Sequence, residues 1–502
     1  MIWITVGASV VATAVAALRW LRVAQREHYL PGVTRFAVRW WRLDLRNALL
    51  LAAGVLAAVS SMWSPPIGLV TGAVAVAAPI GLGLRGRTSE LVWTDRLARL
   101  VLATAVLAAA VVTVGSVTGV TALVVIVPLL VPVVIDLALW LLAPLERRRG
   151  DRWIQRAAAS LARVDPTVVA ITGSYGKTST KNLVAHLVGG MRAVSASPAS
   201  FNNRMGLARA INEHLTPGID IFIAEMGTYG VGEIRDLCEW IPPDVAVITA
   251  LGPVHLERMR SLAVIAAAKR EILERAPVAV ISIDHPLLAE MATAEAGRRR
   301  VTTVSAHRGD ADITATADGV VLVGSEAVGT FRPDRSHPVN VACAIGVIVA
   351  LGIDPRHVAD RLADAPEVAH RRTVGRSGRG VDIIDDTFNS NPAGAEAALG
   401  MLAGLGSVDG RKVVVTPGMV ELGDCQDAAN REFGQKAGAA GVTHFVIVNR
   451  TNRRALAAGA EEGGVGSVIV FDTREDAVVW VRDTLIEGDA VLYENDLPDH
   501  YP

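Results

Sequence analysis

This sequence is poor in cysteine, and its positive and negative charges almost cancel. Its 502 residues include only three cysteines, Cys238, Cys343 and Cys425, and none of them belongs to a CxxC pair. That scatter argues against a disulfide framework or a cysteine-ligated zinc site and indicates reduced thiols. The formal net charge of −1 gives no support to nucleic-acid binding through bulk electrostatics. We therefore predict no nucleic acid among the partners.

Polar residues are scarce in the first 143 residues, which carry most of the chain's apolar excess. A helix needs about 20 mostly apolar residues to cross a bilayer, and five stretches reach or approach that length. Asp136 is the one carboxylate inside them. An intramembrane acid is a candidate functional group, although snorkelling or helix pairing explains it equally well. The five stretches are residues 2–18, 49–63, 67–84, 100–117 and 121–142.

The distribution of arginine predicts how these stretches are oriented. Arginines follow the first, third and fifth stretches, whereas the two loops between the others, around residues 64–66 and 115–119, carry no charge. Positive residues stay on the cytoplasmic side of a membrane. We therefore expect a multi-pass protein of the cell membrane, with its N-terminus outside and its catalytic domains in the cytoplasm.

A phosphate-binding turn follows an apolar strand pattern in Ile171-Thr-Gly-Ser-Tyr-Gly-Lys-Thr-Ser-Thr180. In such a turn the backbone N–H groups face an anion, the lysine reaches the terminal phosphates and the hydroxyl holds magnesium. Only two residues separate the glycines, against four in the standard motif, so a generic nucleoside triphosphatase is disfavoured. A glycine-rich turn that binds nothing is the alternative. The predicted ATP-binding residues here are Gly173, Ser174, Tyr175, Gly176, Lys177, Thr178 and Ser179.

The second part of the chain alternates strand-like and helix-like runs, which predicts parallel sheets with crossover helices. The expected strands form two series on either side of residues 332–337, so we expect two α/β domains with a cleft between them. The whole chain then divides into a helical membrane region at 1–143 and a linker at 144–164. A central ATP-binding domain follows at 165–335, and a Rossmann-like C-terminal domain at 336–502.

Several ordered motifs downstream of the turn resemble one family. Phe201-Asn-Asn203 lies in a Ser/Pro-rich loop, Glu225 ends a strand, His255 ends the next, and Lys269 follows on a helix. With the glycine-lysine turn, these resemble the central ATPase domain of the Mur ligases, the ATP-dependent amide-forming enzymes of peptidoglycan precursor synthesis. Asp385-Asp-Thr-Phe-Asn-Ser-Asn-Pro392 is similar to a signature of their C-terminal domain. The resemblance covers roughly residues 165–490.

This resemblance implies a role for each matching position. Lys177 would bind the terminal phosphates, Thr178 and Glu225 would hold Mg²⁺, and His255 would bind a second Mg²⁺. Lys269 matches a lysine that is carbamylated in many members, which makes it an anionic group near the metal. Lys177, Lys269 and His255 are the implied catalytic residues. Asn340, Arg371 and Asp386 would contact the nucleotide, and Asn202, Asn203 and Asn389 the substrate.

Each of these residues also has a plain structural alternative. Glu225 could be a solvated cap, His255 a half-buried histidine and Lys269 a surface charge. Asn202 and Asn203 could simply form a loop. Their shared order and spacing favours the functional interpretation.

Two departures from the family pattern stand out. The family's soluble N-terminal domain, which holds a UDP-sugar, has no counterpart, since the apolar stretches occupy its place. The family often ends in a Lys-Gly-Ser-Arg-like strand exit, whereas Glu494-Asn-Asp496 stands here. An acidic exit suits an amine nucleophile, but acidic tails are usually just solvated.

The expected function is that of a membrane-anchored, ATP-dependent amide ligase. It would act through an acyl phosphate on a peptidoglycan precursor or a related cell-envelope peptide. ATP, two Mg²⁺ ions, peptide or amino-acid substrates, membrane lipid and lipid-linked precursors are the expected cofactors and partners. The alternatives are a ligase for another polymer, as in poly-γ-glutamate synthesis or lipid II amidation, and an inactive ATP-binding scaffold. The intact Lys177, Glu225 and Asp386 argue against the scaffold.

Overall fold

The computed structural model describes residues 2–84, 90–333, 335–365, 373–387, 390–497 and 500–501. It divides into two compact units. The helical unit comprises Met1–Arg149 together with Leu497–Pro502, and the ligase unit comprises Gly150–Asp496. Each unit is described by itself below.

The helical unit contains fewer long apolar helices than the five predicted. In the described part of the chain, three are long and apolar enough to cross a membrane: Trp3–Arg26, Asp95–Thr118 and Thr121–Val164. A fourth is possible if two helices bent by 110° form one span. The helices are α1 (Ile2–Arg26), α2 (Val33–Trp41), α3 (Leu45–Ser60), α4 (Gly68–Ala77), α5 (Asp95–Thr118) and α6 (Thr121–Val164), the last running on into the ligase unit.

The predicted third stretch, residues 67–84, is the one that falls shortest. Its helix α4 ends at Ala77, directly before the Ala78-Pro79 pair. Proline disfavours helical backbone in the residue before it and cannot donate to the helix ladder. Hydropathy alone does not register this stop, because alanine and proline leave the stretch apolar.

Polar groups in the helical unit bind the backbone of neighbouring helices. The Asp136 carboxylate accepts from the N–H groups of Gly32, Val33 and Thr34 at 2.8–2.9 Å and so caps the start of α2. Buried Arg19 donates to carbonyl oxygens at the end of α4, including that of Ala78 at 2.6 Å. Asp136 therefore has the helix-pairing role and not that of an isolated acid in a span.

The ligase unit begins within helix α6. The residues expected as a linker, 144–164, are the C-terminal part of this helix. Ile154, Ala157 and Leu161 are buried in the core of the central α/β domain. The chain therefore enters this domain as a continuous helix.

The central domain is built on a sheet that has nine strands among the described residues, in the order β2-β3-β1-β4-β5-β6-β7-β8-β9. Neighbours are parallel from β2 through β7, and the last two strands are antiparallel additions. The strands are β1 (Thr167–Thr172), β2 (Val194–Ala196), β3 (Ile221–Glu225), β4 (Val245–Ile248), β5 (Val278–Ser282), β6 (Arg300–Ser305), β7 (Ile313–Ala315), β8 (Val320–Val323) and β9 (Glu326–Thr330).

Helices cover both faces of this sheet. They are α7 (Lys177–Val188), α8 (Arg204–His214), α9 (Glu233–Trp240), α10 (Leu256–Met259), α11 (Leu262–Arg270), α12 (Pro286–Glu295), α13 (Pro338–Ala350) and α14 (Ala359–Ala363). Helix α13 packs on the first sheet, in one hydrophobic cluster with Val169, Val280 and Val304. The central domain thus includes residues that the sequence pattern assigned to the C-terminal domain.

The C-terminal domain is built on a second sheet, with six strands in the described ranges, ordered β10-β11-β15-β12-β13-β14. All neighbours are parallel except β10 and β11. Its elements are β10 (Thr373–Arg376), β11 (Asp382–Asp386), α15 (Pro392–Ala403), β12 (Lys412–Thr416), α16 (Gln426–Ala439), β13 (His444–Val448), α17 (Arg453–Glu462), β14 (Ser467–Phe471), α18 (Arg474–Thr484) and β15 (Ala490–Glu494). The predicted pair of α/β domains is confirmed.

Candidate functional site

The phosphate-binding turn lies at the end of β1, between strands β3 and β4 of the sheet. Gly176, with φ 79°, precedes the first residue of α7, Lys177. A Cβ atom on Gly176 would lie 2.1 Å from Oδ1 of Asn340, and one on Gly173 would lie 2.0 Å from Oγ1 of Thr249. A side chain is therefore disfavoured at both positions, and the turn leads into the N-terminus of α7, a place where backbone N–H groups commonly bind anions.

Glu225 ends β3 and is the centre of a buried polar cluster. Oγ1 of Thr178 donates to its Oε2 at 2.9 Å, and Nδ2 of Asn202 donates to its Oε1 at 3.1 Å. Nζ of Lys181 lies 3.1 Å from Oε2. The glutamate is 2% exposed, and burial alone would raise its pKa. Lys181, then Lys177, then the two hydrogen bonds outweigh burial and lower the pKa, so this carboxylate is held ionised.

Lys181 is a site residue that the sequence interpretation missed. It is 1% exposed and pairs with Glu225. A signal was present, because Lys181 stands four residues after Lys177 on α7, and such residues share one helix face. A second cation on the face that carries the phosphate-binding lysine was therefore detectable.

The donor set at Glu225 fits magnesium. No group of three His, Cys, Asp or Glu side chains that could hold a metal ion is found within the described residues. Mg²⁺ usually takes one or two carboxylates and completes its shell with water and phosphate oxygens. The Glu225 carboxylate and the Thr178 hydroxyl, side by side under the phosphate-binding turn, provide what such an ion requires from protein.

Two lysines stand near this cluster with different environments. Nζ of Lys177 donates to the carbonyl oxygens of Gly173 at 2.7 Å and of Ser174 at 3.4 Å, so its ammonium lies inside the turn. Lys269 is 4% exposed. Burial, and after it the positive charge of Lys177, lower the pKa of Lys269 well below its ordinary value. Lys269 is therefore not the surface charge of the alternative interpretation.

His255, the predicted ligand of a second Mg²⁺, has one ring nitrogen beside a carboxylate, an arrangement that is compatible with metal binding through the other nitrogen. Its Nδ1 lies 2.5 Å from Oε2 of Glu421 in the C-terminal domain, and its ring stacks at a tilt on Tyr229 with centroids 4.7 Å apart. The structure thus places His255 at a contact between the two α/β domains. Glu421, 166 residues away in sequence, was not among the predicted site residues.

A cavity of about 350 Å³ lies between the central and C-terminal domains. Oδ1 of Asn340 and the hydroxyl of Tyr175 are buried beside it without a hydrogen-bond partner among the described residues. Buried polar atoms of this kind are normally satisfied, so a polar ligand fits here. The predicted residues that line the cavity are Tyr175, Gly176, Ser179, Asn340 and Asp386.

The remaining predicted residues have mixed outcomes. The Ser174 hydroxyl accepts from N–H of Gly252 at 3.0 Å and so fixes the turn. The Asn203 side chain accepts from N–H of Gly206 at 2.9 Å and caps α8, which is the loop-forming alternative. Arg371 and Asn389 lie outside the described residues.

Glu494, at the end of β15, is neither a solvated tail residue nor an exposed group that meets an amine. It is fully buried. Its carboxylate accepts from Oγ1 of Thr416 at 2.8 Å and from the hydroxyl of Ser390, which lines the cavity. Burial raises its pKa to about 8, with a smaller rise from Asp386 and an opposing effect of the Thr416 bond. Asp496 forms an ion pair with Arg474.

Comparison with known proteins agrees with this geometry. Residues 171–343 match the Mur ligase middle domain, and residues 370–493 match the Mur ligase, glutamate ligase domain. The UDP-N-acetylmuramoyl-tripeptide–D-alanyl-D-alanine ligase of Mycobacterium tuberculosis is 32% identical over 365 residues, covering 67% of this chain and 71% of its own. The Bacillus subtilis enzyme of the same name is 26% identical over 346 residues, covering 68% and 75%.

Solved structures show the same fold. MurF from Acinetobacter baumannii has a TM-score of 0.59 at 21% identity, covering 69% of this chain and 77% of that one. MurF ligase from Thermotoga maritima, in complex with ADP, has a TM-score of 0.57 at 25% identity, covering 69% and 80%. The resemblance inferred from the motifs is thereby confirmed. This chain belongs to the Mur ligase family and is an ATP-dependent carbon–nitrogen ligase.

Proposed function

We propose that this protein is a membrane-anchored ligase that joins an amine to the carboxyl group of a peptidoglycan precursor or a related cell-envelope peptide. The observation that carries the proposal is the ionised Glu225 cluster beneath the phosphate-binding turn, beside a cavity between two α/β domains. The names of the relatives supply the substrate class, since those ligases act on UDP-N-acetylmuramoyl-tripeptide.

The first step activates the carboxylate. A carboxylate oxygen attacks the γ-phosphorus of ATP, and the bond between this phosphorus and the β-phosphate oxygen breaks. ADP departs, and the substrate carboxyl group has become an acyl phosphate. Lys177 and the turn's N–H groups would bind the phosphate oxygens, and Glu225 with Thr178 would hold Mg²⁺, which neutralises their charge. Preorganised charges of this kind are commonly the largest contribution to such a reaction.

The second step forms the amide. The amine attacks the acyl carbon, and the tetrahedral intermediate expels inorganic phosphate and releases a proton. Asp386 and Ser390 bring the C-terminal domain to the cavity edge, where the second substrate would meet the acyl phosphate. Holding two reactants in one cleft contributes up to about 7–11 kcal/mol through proximity.

We also propose that Lys269 is carbamylated. A lysine reacts with carbon dioxide only as the neutral amine, and the lowered pKa of Lys269 favours that form. The product would be an anion close to Lys177, where the unmodified ammonium is repelled. Lys269→Ala should lose most activity, and short-chain carboxylic acids should restore part of it. Full activity without additive would contradict the proposal, and Lys412→Ala, outside the cluster, serves as the control.

The ligase activity is tested by ATP consumption. Purified full-length protein would be assayed with a panel of UDP-linked, lipid-linked and free peptides, each with candidate amines. We expect turnover that needs both a carboxyl donor and an amine. Turnover with neither partner, or none with any pair, would count against the ligase. Preference for a lipid-linked donor would favour the lipid II-type alternative, for which the apolar helices before the ligase unit offer a reason.

We propose that the helical unit anchors the protein in the cell membrane and that the ligase unit is cytoplasmic. The support comes from the apolar helices and from the arginine distribution. Cys425 offers a direct test because it is exposed, whereas Cys238 and Cys343 are buried. A membrane-impermeant maleimide should label inverted vesicles and not intact cells. Cys425→Ser should abolish the label, and labelling in intact cells would reverse the orientation.

A further inference from the structure

The helical unit receives the last residues of the chain, although these follow the final strand of the ligase unit. Among the described residues of this C-terminal tail, which spans residues 497–502, Leu497 is 2%, His500 1% and Tyr501 5% exposed. A chain end with no packing role would be solvated and mobile. These residues are instead as deeply buried as core side chains.

Polar groups at the ends of α1 and α2 hold His500 by both its backbone and its ring. Nε1 of Trp40, on α2, donates to the carbonyl oxygen of His500 at 2.8 Å. Nε2 of His500 lies 2.9 Å from Oε1 of Glu27, the residue after α1. Because Trp40 binds the main chain and Glu27 binds the side chain, His500 is fixed in position and in ring orientation.

Aromatic contacts extend this site to Tyr501. The Phe36 ring meets His500 edge-on at 4.6 Å and Tyr501 at 5.5 Å between centroids. The guanidinium carbon of Arg39 lies 5.2 Å from the Tyr501 ring centroid. Edge-to-face and cation–π contacts at these distances are attractive and favour particular orientations. We call Glu27, Phe36, Arg39 and Trp40 the tail-docking surface.

We propose that the tail-docking surface is a docking site for the chain's own C-terminal tail, and that this docking ties the end of the ligase unit's last strand to the helical unit. Strand β15 ends at Glu494, and Asp496 is ion-paired with Arg474 of the same unit. The next residue, Leu497, already belongs to the helical unit. The ligase unit is thus attached at both ends, through α6 and through the tail.

The docked tail is close in sequence to the candidate site. Glu494 accepts from Ser390, which lines the cavity, and it stands three residues before Leu497. The docked segment therefore begins three residues after a strand end that contacts the cavity edge.

Hydrogen exchange of the purified full-length protein in detergent tests the docking. The measurement needs no ATP or substrate, so its outcome is independent of the proposed ligase activity. His500→Ala and Tyr501→Ala should speed amide exchange in α2 and in residues 495–501 at least tenfold, because they remove the contacts that cover both segments. Exchange in α7 should stay as in the unmodified protein. Arg482→Ala, an exposed change on α18, is the control and should leave all three segments unchanged.

A variant on the receiving side separates loss of docking from damage to the tail itself. Glu27→Gln leaves the tail sequence intact, and it should also speed exchange of residues 495–501. The proposal is overturned if the tail residues in His500→Ala, Tyr501→Ala and Glu27→Gln all exchange within twofold of the unmodified protein. It is equally overturned if the tail of the unmodified protein exchanges as fast as an unstructured peptide.

Discussion

The helical unit and the ligase unit both bury polar side chains, but they use them differently. In the ligase unit, Thr178 and Lys181 from α7 and Asn202 from the loop before α8 converge on one carboxylate, Glu225. In the helical unit, Asp136 and Arg19 each satisfy the backbone at the end of a neighbouring helix. Convergence on one point concentrates charge for chemistry, whereas dispersed polar contacts fix how helices pack.

This difference explains why the sequence was easier to interpret in one unit than in the other. Phosphate chemistry requires particular residue types at particular spacings, so a short motif identifies it. Apolar surroundings only require that each backbone polar group find a partner, and many different residues can provide one. Asp136 therefore had several equally good interpretations until its three donors were known.

The strongest test of the comparison removes the phosphate-binding charge. Lys177→Ala should lower ATP turnover by about 100-fold or more, the cost of losing one preorganised charge that stabilises the transition state. Thermal unfolding should change little, because the ammonium of Lys177 lies inside the turn on carbonyl oxygens and is not packed in the hydrophobic core. Lys436→Ala, an exposed lysine on α16, is the matched control. Retained turnover in the Lys177 variant would remove the site assignment.

The buried carboxyl of Glu494 should make stability depend on pH. Its native pKa of about 8 lies above the value of about 4.3 in an unfolded chain. Between these values the unfolded chain has lost the proton that the native protein keeps, so the free energy of unfolding falls as pH rises. Glu494→Gln should remove this pH dependence. Relative to the unmodified protein, the free energy of unfolding of the variant should be higher at pH 8 than at pH 5 by a further amount of about a few kcal/mol. The prediction is contradicted if the free energy of unfolding changes between pH 5 and pH 8 by the same amount in Glu494→Gln as in the unmodified protein.

The helix cap formed by Asp136 should contribute less to the free energy of unfolding than the change at Glu494. Asp136→Ala leaves three N–H groups at the start of α2 without their acceptor, and we expect a loss of about 1–2 kcal/mol. Thermal unfolding in detergent would measure it, with Asp136→Asn as a partial replacement that keeps one acceptor oxygen. ATP binding by the ligase unit should be unchanged, and a large loss of binding would show that Asp136 acts in the site.

The smallest expected effect separates two neighbouring asparagines. Asn203→Ala removes the cap of α8 and should cost about 1 kcal/mol of stability with normal turnover. Asn202→Ala removes a hydrogen bond to Glu225 and should instead lower turnover, by about tenfold, the equivalent of one such bond. Measured kcat and unfolding midpoints for both variants test the contrast, which fails if Asn203→Ala is the slower enzyme.

Most of the ligase site could be predicted because its parts are local. The phosphate-binding turn, Glu225 and Asp386 each follow or end a predicted strand and could be identified separately. Parallel strands bring such ends to one edge of a sheet. Lys181 was missed although its helical spacing was informative. Glu421 was missed, and the burial of Glu494 was not predicted, because their partners, His255 and Ser390, are 166 and 104 residues away in sequence.

The sequence alone was sufficient to predict the phosphate-binding turn and two largely parallel sheets, because the backbone freedom of two glycines and the period of apolar residues are local properties. The resemblance of several ordered motifs predicted the family. Three features became clear only from the fold: which helices of the helical unit are long enough to be spans, which carboxylates are buried, and where the C-terminal tail packs. His500 meets Glu27 across 473 residues. Burial and pairing of a polar group depend on which surfaces meet, and neither composition nor spacing specifies that meeting.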